Sequence, residues 1–235
     1  MKLIYTKRNI KRKNKNYTVM MPERTGRIVN NREELVDADR KGLNTILMSA
    51  LIMMENPDAI VYFPLKKPLA EIYYYLDYDY FHEEDKKTQA DMVFLHRAGQ
   101  LPISAWKEIR QSLKYTRGVK EVMKVDVDAA YEAGCAACDK YEKTDRYYKE
   151  MDLFSFAIEY DTMFFSGGWY AFMDLFIDLK EMLDLPLENR LEDKAKSGPY
   201  LLDDYISFPY DHKNPKVEWP ELGFYNRNVL SFCKE

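Results

Sequence analysis

Glycine and cysteine are scarce in this chain, and long apolar runs are missing. Nine glycines and three cysteines among 235 residues exclude a collagen-like chain and a small disulfide-stapled scaffold. The most apolar stretch of the first quarter, 43–54, is interrupted by Asn44, Thr45 and Ser49. It is also shorter than the roughly 20 residues that a membrane-spanning helix needs. We therefore expect a buried helix there, with no passage through a membrane.

The start of the chain and the cysteine count point to the same compartment. The first eight residues lack the apolar stretch of about 7–15 residues that a secretory signal requires. An odd number of cysteines in a chain long enough to bury a core is not a disulfide framework. We expect reduced thiols and a cytoplasmic protein.

Motifs that bind nucleotides or metals, or that mark a hydrolase, are also missing. The chain contains neither G-x-x-x-x-G-K-[ST] nor G-x-G-x-x-G, and neither G-x-S-x-G nor H-E-x-x-H. Three histidines are available as acid, base or metal ligand, namely His82, His96 and His212. The sequence therefore favours a protein that is not an enzyme and that carries no cofactor, although an enzyme built on dispersed acidic residues stays open.

Cys135 and Cys138 have the C-x-x-C spacing that suggests a metal. A structural zinc site needs four ligands, commonly two such pairs, and this chain has no second pair. Cys233 and His212 would have to fold back to complete the site. We favour a small-residue patch at 133–138, where two helices approach closely, and predict no metal.

Charge is distributed very unevenly along the chain. Residues 1–32 hold ten basic side chains against Glu23 alone, which makes this segment +9. Since the whole chain is −4, residues 33–235 carry −13. Such segregation is typical of a basic arm that contacts phosphates, an acidic partner or the acidic body of its own chain.

The first 65 residues predict a small sheet and one long helix. β-branched and aromatic residues predict short strands at 2–5, 17–21 and 59–63. The basic tract 8–16 is expected to be a loop. Asn31, three residues before Glu34, predicts a helix cap, and the helix is expected to run from about 32 to 55.

Helical periodicity dominates the remainder of the chain. It predicts helices at 69–80, 88–98, 102–115, 119–143, 151–165 and 169–184. The last two, separated by Gly167-Gly168, predict an amphipathic helical hairpin with an aromatic core. After residue 198 frequent prolines predict an irregular segment whose aromatic residues cover the body.

These elements predict an α+β fold that is predominantly α. Residues 1–30 form a basic, β-rich N-terminal extension, and residues 31–198 form a helical body. Residues 199–235 form an irregular C-terminal segment packed on that body. The oligomeric state is left open.

Tyrosine is abundant and clusters with acidic residues. The stretch 73–80 contains three consecutive tyrosines, which cannot all face inwards on one helix. Some are therefore expected in an interface, where tyrosine is favoured, unless the C-terminal segment covers them. Asp174, Asp178 and Glu181 share a helix face, either as a solvated polar face or as a docking face. The candidate partner-binding residues are Tyr74, Tyr75, Tyr78, Asp79, Asp174 and Asp178.

The leading hypothesis is a non-catalytic interaction protein that regulates or inhibits a protein partner through these acidic and tyrosine-rich faces. The alternative is a nucleic-acid-binding protein that uses the basic arm and the basic region 107–124. Its candidate residues are Lys7, Arg8, Lys11, Arg12, Lys13, Lys107, Arg110 and Lys114. A compact chain with so few motifs also fits an accessory protein of a phage or other mobile element.

Overall fold

Strands and helices are interspersed along the chain, and four strands come before the first helix. The structure, a computed structural model, describes residues 1–23, 26, 28–30, 35–65, 90–97, 101–142, 154–184, 205–211 and 221–226. Its strands are β1 (Lys2–Arg12), β2 (Lys15–Pro22), β3 (Ile28–Asn30), β4 (Leu35–Ala38), β5 (Ala59–Phe63), β6 (Asp91–His96), β7 (Val119–Lys124), β8 (Phe154–Glu159), β9 (Thr162–Gly167), β10 (Tyr205–Asp211) and β11 (Glu221–Asn226). Its helices are α1 (Arg40–Glu55), α2 (Ile103–Leu113), α3 (Val127–Glu142) and α4 (Trp169–Asp184).

The strands form one mixed sheet. Its central part runs in the order β8-β9-β6-β5-β2-β1-β7. β1 pairs antiparallel with both β2 and β7, whereas β2 with β5 and β6 with β9 are parallel pairs. Beyond β8 the sheet continues through β10, β11, β4 and β3. Parallel and antiparallel pairs therefore alternate from β3 to β1, and the last pair, β1 with β7, is again antiparallel.

Helices cover the sheet on both faces. In β5, Ile60 and Tyr62 pack with Trp106 of α2, while Val61 and Phe63 point to the opposite face and pack with α1 and α4. This alternation follows from the two-residue repeat of a strand. Every residue of β5 is buried, because a central strand covered on both faces presents no side to water.

The prediction of a predominantly helical α+β fold is wrong, and the fold is a mixed sheet between helical layers. Segment 88–98, predicted as a helix, contains β6; segment 151–165 contributes β8 and most of β9; and the start of segment 119–143 is β7. β6 is buried from Asp91 to Leu95, and periodicity cannot distinguish so short an apolar run from a buried helix. The helical hairpin is therefore half wrong, since its second helix, α4, is confirmed.

The N-terminal region also differs from its prediction. The tract 8–16 is not a loop, because β1 continues to Arg12 and turns at Lys13, which has a φ of 52°. α1 begins after Asp39, whose carboxylate accepts a hydrogen bond from the Gly42 N–H at 2.7 Å, and not after Asn31. The predicted strand 59–63 and the helix within 102–115 are confirmed as β5 and α2.

Some predictions are not tested by these coordinates. The helix at 69–80 lies outside the described residues. The irregular C-terminal segment contains β10 and β11, but the three-part domain division stays a prediction. No helix in the described part of the chain combines the length and apolar character needed to cross a membrane.

The sheet curls strongly between its two ends. Only residues 23–27 connect Pro22 of β2 to Ile28 of β3, and they reach about 20 Å when extended. The two strands are eight positions apart in the sheet order, which is about 38 Å in a flat sheet. The curl brings Asn30 of β3 to the start of β6, where its side chain donates to the Ala90 carbonyl at 2.8 Å and accepts from the Ala90 N–H at 3.2 Å.

Phe94 of β6 lies at the centre of the core between the sheet and α4. It is fully buried, and its ring centroid lies 5.3 to 5.6 Å from those of Phe63, Phe165 and Phe172. Such aromatic contacts add to the free energy of burial. The packing of α4 on the sheet therefore depends on this ring.

We expect Phe94→Ala to lower the free energy of unfolding by about 3–5 kcal/mol, because it removes a buried ring and leaves a cavity. Val119→Ala on β7 is the control, since Val119 is 63% exposed and its loss should cost less than about 1 kcal/mol. Urea unfolding followed by circular dichroism measures both. Equal losses would contradict the placement of Phe94 in the core.

Candidate functional site

The two basic regions found in the sequence lie side by side in the structure. α2 packs across the β1–β2 hairpin, and Ile10 and Tyr17 of the hairpin share a buried cluster with Ile109 and Leu113 of α2. The apolar residues of α2 fall at helical spacing, so they form one stripe that faces the sheet. The basic arm and the basic helix therefore contribute to one surface.

Two arginines of β1 attach the hairpin to α2. Arg12 meets Glu108 through two parallel hydrogen bonds, Nε to Oε2 at 2.6 Å and Nη2 to Oε1 at 2.9 Å, and this lowers the pKa of the Glu108 carboxyl. Arg8 donates from Nη1 to the Leu113 carbonyl at the C-terminal end of α2, where the helix dipole favours a cation. Both arginines bind the fold itself and are not free to bind a ligand.

Arg110 is also turned towards the interior. Its Nη1 lies 3.4 Å from Oδ2 of Asp91 and 3.2 Å from Oγ1 of Thr162. Arg110, one of the candidate nucleic-acid-binding residues, is thus bonded within the fold, whereas Lys107 and Lys114 are exposed. Lys7 likewise pairs with Glu121 of β7 at 3.5 Å.

Asp91 and its neighbours form a buried polar network beneath α2. Asp91 is 3% exposed, and its Oδ2 accepts a hydrogen bond from the Tyr62 hydroxyl at 2.7 Å. Trp106 Nε1 donates to Thr162 Oγ1 at 3.1 Å. Burial, followed by the charge of Asp91, raises the pKa of Tyr62. These bonds fix α2 on the sheet, and with it the surface that α2 carries.

A second group of cations points to solvent. Lys13, Lys107, Lys114 and Arg117 are exposed, and none of them forms an ion pair within the residues that the structure describes. We call these four residues the basic surface. Lys13 lies close enough to Glu108 to help lower the pKa of that carboxyl, which places it on the α2 side of the hairpin.

Three nearby residues complete the description of this region. Lys11 is exposed but alternates with Ile10 and Arg12, so it lies on the opposite face of the hairpin. Lys15 lies 5.5 Å above the Tyr17 ring. Tyr115, in the turn that follows α2, is 90% exposed. The sequence did not identify this residue, because the local sequence does not distinguish an exposed tyrosine from one that another part of the chain covers.

The predicted acidic face lies on α4, against α3. Asp174 and Glu181 are exposed; the Cys138 thiol lies 3.7 Å from Asp174 Oδ1, and the Tyr131 hydroxyl donates to Glu181 Oε1 at 2.6 Å. α3 and α4 approach closely at Gly134, where an added Cβ would lie 2.4 Å from the Met173 sulfur. This is the close approach that the small residues of 133–138 predict.

Metal ligation at the cysteines finds no support among the described residues. Cys135 and Cys138 form no disulfide within the described residues. No group of three or more His, Cys, Asp or Glu side chains is placed to hold a metal ion in the described ranges. His82, His212 and Cys233 lie outside those ranges.

Asp178 is the buried member of the acidic face. Burial raises its pKa to about 6, and the charges of Asp174 and Glu181 contribute further. A carboxyl whose pKa is higher in the folded chain than in the unfolded chain opposes folding wherever it is ionised. Asp178 therefore destabilises the protein at neutral pH.

We expect the free energy of unfolding to fall by up to about 3 kcal/mol as the pH rises from about 4 to about 6, since Asp178 then ionises at a loss. Asp178→Asn should remove this decline and stabilise the protein at pH 7. Urea titrations across this pH range measure both chains. Asp174→Asn makes the same change on an exposed side chain and should remove only the smaller contribution, that of the Asp174 charge to the raised pKa of Asp178. Identical pH profiles for wild type and Asp178→Asn would contradict the raised pKa of Asp178.

A cavity of about 640 Å³ lies at the other end of β1 and β7. Arg40, Lys124 and Lys180 face it, but so do three aspartates, and Lys180 pairs with Asp128 at 2.9 Å and with Asp184. Positive and negative side chains are equal in number, so the cavity favours neither an anion nor a cation. Compared with this cavity, the basic surface is the more selective candidate site, because its four side chains all carry positive charge.

The remaining predicted residues, Tyr74, Tyr75, Tyr78 and Asp79, lie outside the described residues. No protein-family model, curated protein or solved structure matches this chain.

Proposed function

We propose that this protein acts by binding another macromolecule, and that nucleic acid, contacted through its phosphates, is the partner that the geometry supports best. The observation that carries this proposal is the basic surface itself, on which the β1–β2 turn, α2 and the turn after α2 place four cations that form no ion pair within the described residues. Glu108, the acidic side chain of α2, is already bound by Arg12. A cytoplasmic location belongs to the same proposal.

The spacing of the lysines on α2 suits a phosphate backbone. Lys107 and Lys114 are seven residues apart, about 10 Å along the helix axis. Both lie opposite the apolar stripe of α2 and are exposed, so two phosphates can be contacted from one side of the helix. Each contact releases condensed counterions, which makes such binding fall steeply with salt.

The whole chain has a net charge of −4, so attraction to nucleic acid would depend on this local surface and not on the overall charge. Other cations of the basic region 107–124 are neutralised within the fold, as Lys120 is by Glu23. A test must therefore separate the basic surface from the total charge of the protein.

We expect Lys107→Ala, Lys114→Ala and Arg117→Ala together to weaken oligonucleotide binding about tenfold or more at low salt. The slope of log K against log salt should fall by about 2–3, because each lost phosphate contact removes close to one unit. Fluorescence anisotropy of a labelled oligonucleotide at several salt concentrations measures both quantities.

The matched control removes three cations from the far end of the sheet. Lys2, Lys41 and Lys124 are exposed and distant from the basic surface, so their joint replacement by Ala changes the net charge equally. This control should leave the salt slope unchanged. If both triple variants lose affinity to the same extent, the binding is not localised on the basic surface.

A protein partner docked on the acidic α4 face is the second candidate. Asp174 and Glu181 are exposed there, and their negative charges add to burial, the larger cause, in raising the pKa of Asp178. Such a face suits a basic protein that the chain would regulate or inhibit.

For this second candidate we expect a tagged protein to capture a stoichiometric partner that survives nuclease treatment. Asp174→Lys with Glu181→Lys should abolish capture, because both substitutions reverse the charge of the docking face. Lys107→Glu with Lys114→Glu is the control and should retain the partner. Loss of every captured protein on nuclease treatment would instead favour the nucleic-acid proposal.

A further inference from the structure

Tyr115 is the most exposed large apolar side chain in the described ranges. It is 90% exposed and lies between Lys114 and Arg117, two members of the basic surface. Val119 is the next most exposed, at 63%. A single exposed aromatic ring is common on a protein surface, but this one lies in the chain between two cations of the basic surface.

The turn that presents Tyr115 is firmly held. The N–H groups of Tyr115 and Thr116 both donate to the Ser112 carbonyl at 3.1 Å, and the Thr116 hydroxyl donates to the same oxygen at 2.8 Å. At Gly118 the chain packs so tightly on β1 that an added Cβ would lie 2.3 Å from Thr6 Cγ2. The ring therefore stands on a fixed backbone, which lowers the entropy lost on binding.

We propose that Tyr115 is a stacking platform for a base of single-stranded nucleic acid, an inference that rests on the function proposed above. A base in a duplex is already stacked and paired, whereas an unpaired base offers its face to an aromatic ring. Lys114 and Arg117 lie one residue before and two residues after Tyr115 in the chain and are exposed, so they are placed to bind phosphates near the stacked nucleotide. The ligand class is then single-stranded DNA or RNA, bound without sequence readout.

The test compares three chains on two ligands. An oligothymidylate of about 12 nucleotides, within the range that single-strand sites cover, and a duplex of equal length are titrated by anisotropy at one salt concentration. The wild type should bind the single strand more tightly. Tyr115→Ala should weaken single-strand binding roughly 5- to 100-fold and leave both its salt slope and duplex binding unchanged, whereas Tyr115→Phe should stay within about threefold because its ring still stacks.

A second measurement locates the contact directly. An oligothymidylate carrying 5-iodouracil is irradiated with the wild type, and the crosslinked peptide is identified by mass spectrometry. The crosslink should map to Tyr115. Three results would overturn the stacking role of Tyr115. They are a crosslink at another residue, equal affinity for single strand and duplex, or a Tyr115→Ala variant that binds the single strand as tightly as the wild type does.

The outcomes separate this inference from the proposed function. If the lysine and arginine variants lose affinity and salt slope while Tyr115→Ala binds as the wild type does, phosphate binding stands and stacking is overturned. If the wild type binds neither oligonucleotide, both fail together. Because Tyr115 makes no buried contact, its replacement should leave the circular dichroism spectrum and the unfolding midpoint unchanged, so a loss of binding cannot be attributed to unfolding.

Discussion

One buried carboxylate, Asp91, determines where α2 lies on the sheet. A carboxyl group at 3% exposure is costly unless its oxygens are bonded. Tyr62 and the Leu65 N–H satisfy them from the sheet side, and Arg110 reaches them from α2. Arg110 therefore ties α2 to a carboxyl group that the sheet side already holds. The hairpin contacts of Arg12 with Glu108 then follow from the position of the helix.

Three arginines hold the hairpin and α2 in place, whereas two lysines of the same region present charge to the solvent. The arginines Arg8, Arg12 and Arg110 are partly buried and bind acceptors within the fold, as suits a planar, weakly hydrated group with several donors. Lys107 and Lys114 stay in water, as suits a compact, strongly hydrated ammonium. Replacing Arg8, Arg12 or Arg110 is therefore expected to disturb the shape of the surface, whereas replacing Lys107 or Lys114 removes only charge.

The sequence predicts the fold best where an element has one buried face. α2 and α4 carry a clear apolar stripe, and their bounds follow from it. β6 fails because both of its faces are buried, so its apolar residues run together without a period. At 119–124 the valines indicate a strand. Val119 and Val122 also fall at helical spacing, however, so the periodicity extends the predicted helix 119–143 over this strand. The partners of β7 lie more than a hundred residues away in β1, beyond the reach of any local pattern.

The basic surface could be predicted in composition but not in arrangement. Counting charges identifies the basic N-terminal segment and the basic helix α2. Arg110 falls at helical spacing with Lys107 and Lys114, so the sequence does not distinguish it from them. It turns inwards because of Asp91, which belongs to β6. The arm itself is two long strands of the central sheet and not a flexible extension. A flexible arm adapts to any anionic partner at a cost in entropy. A hairpin fixed in a sheet holds its cations at set distances, so selectivity for a partner then depends on how well that partner's phosphates or bases match a rigid pattern.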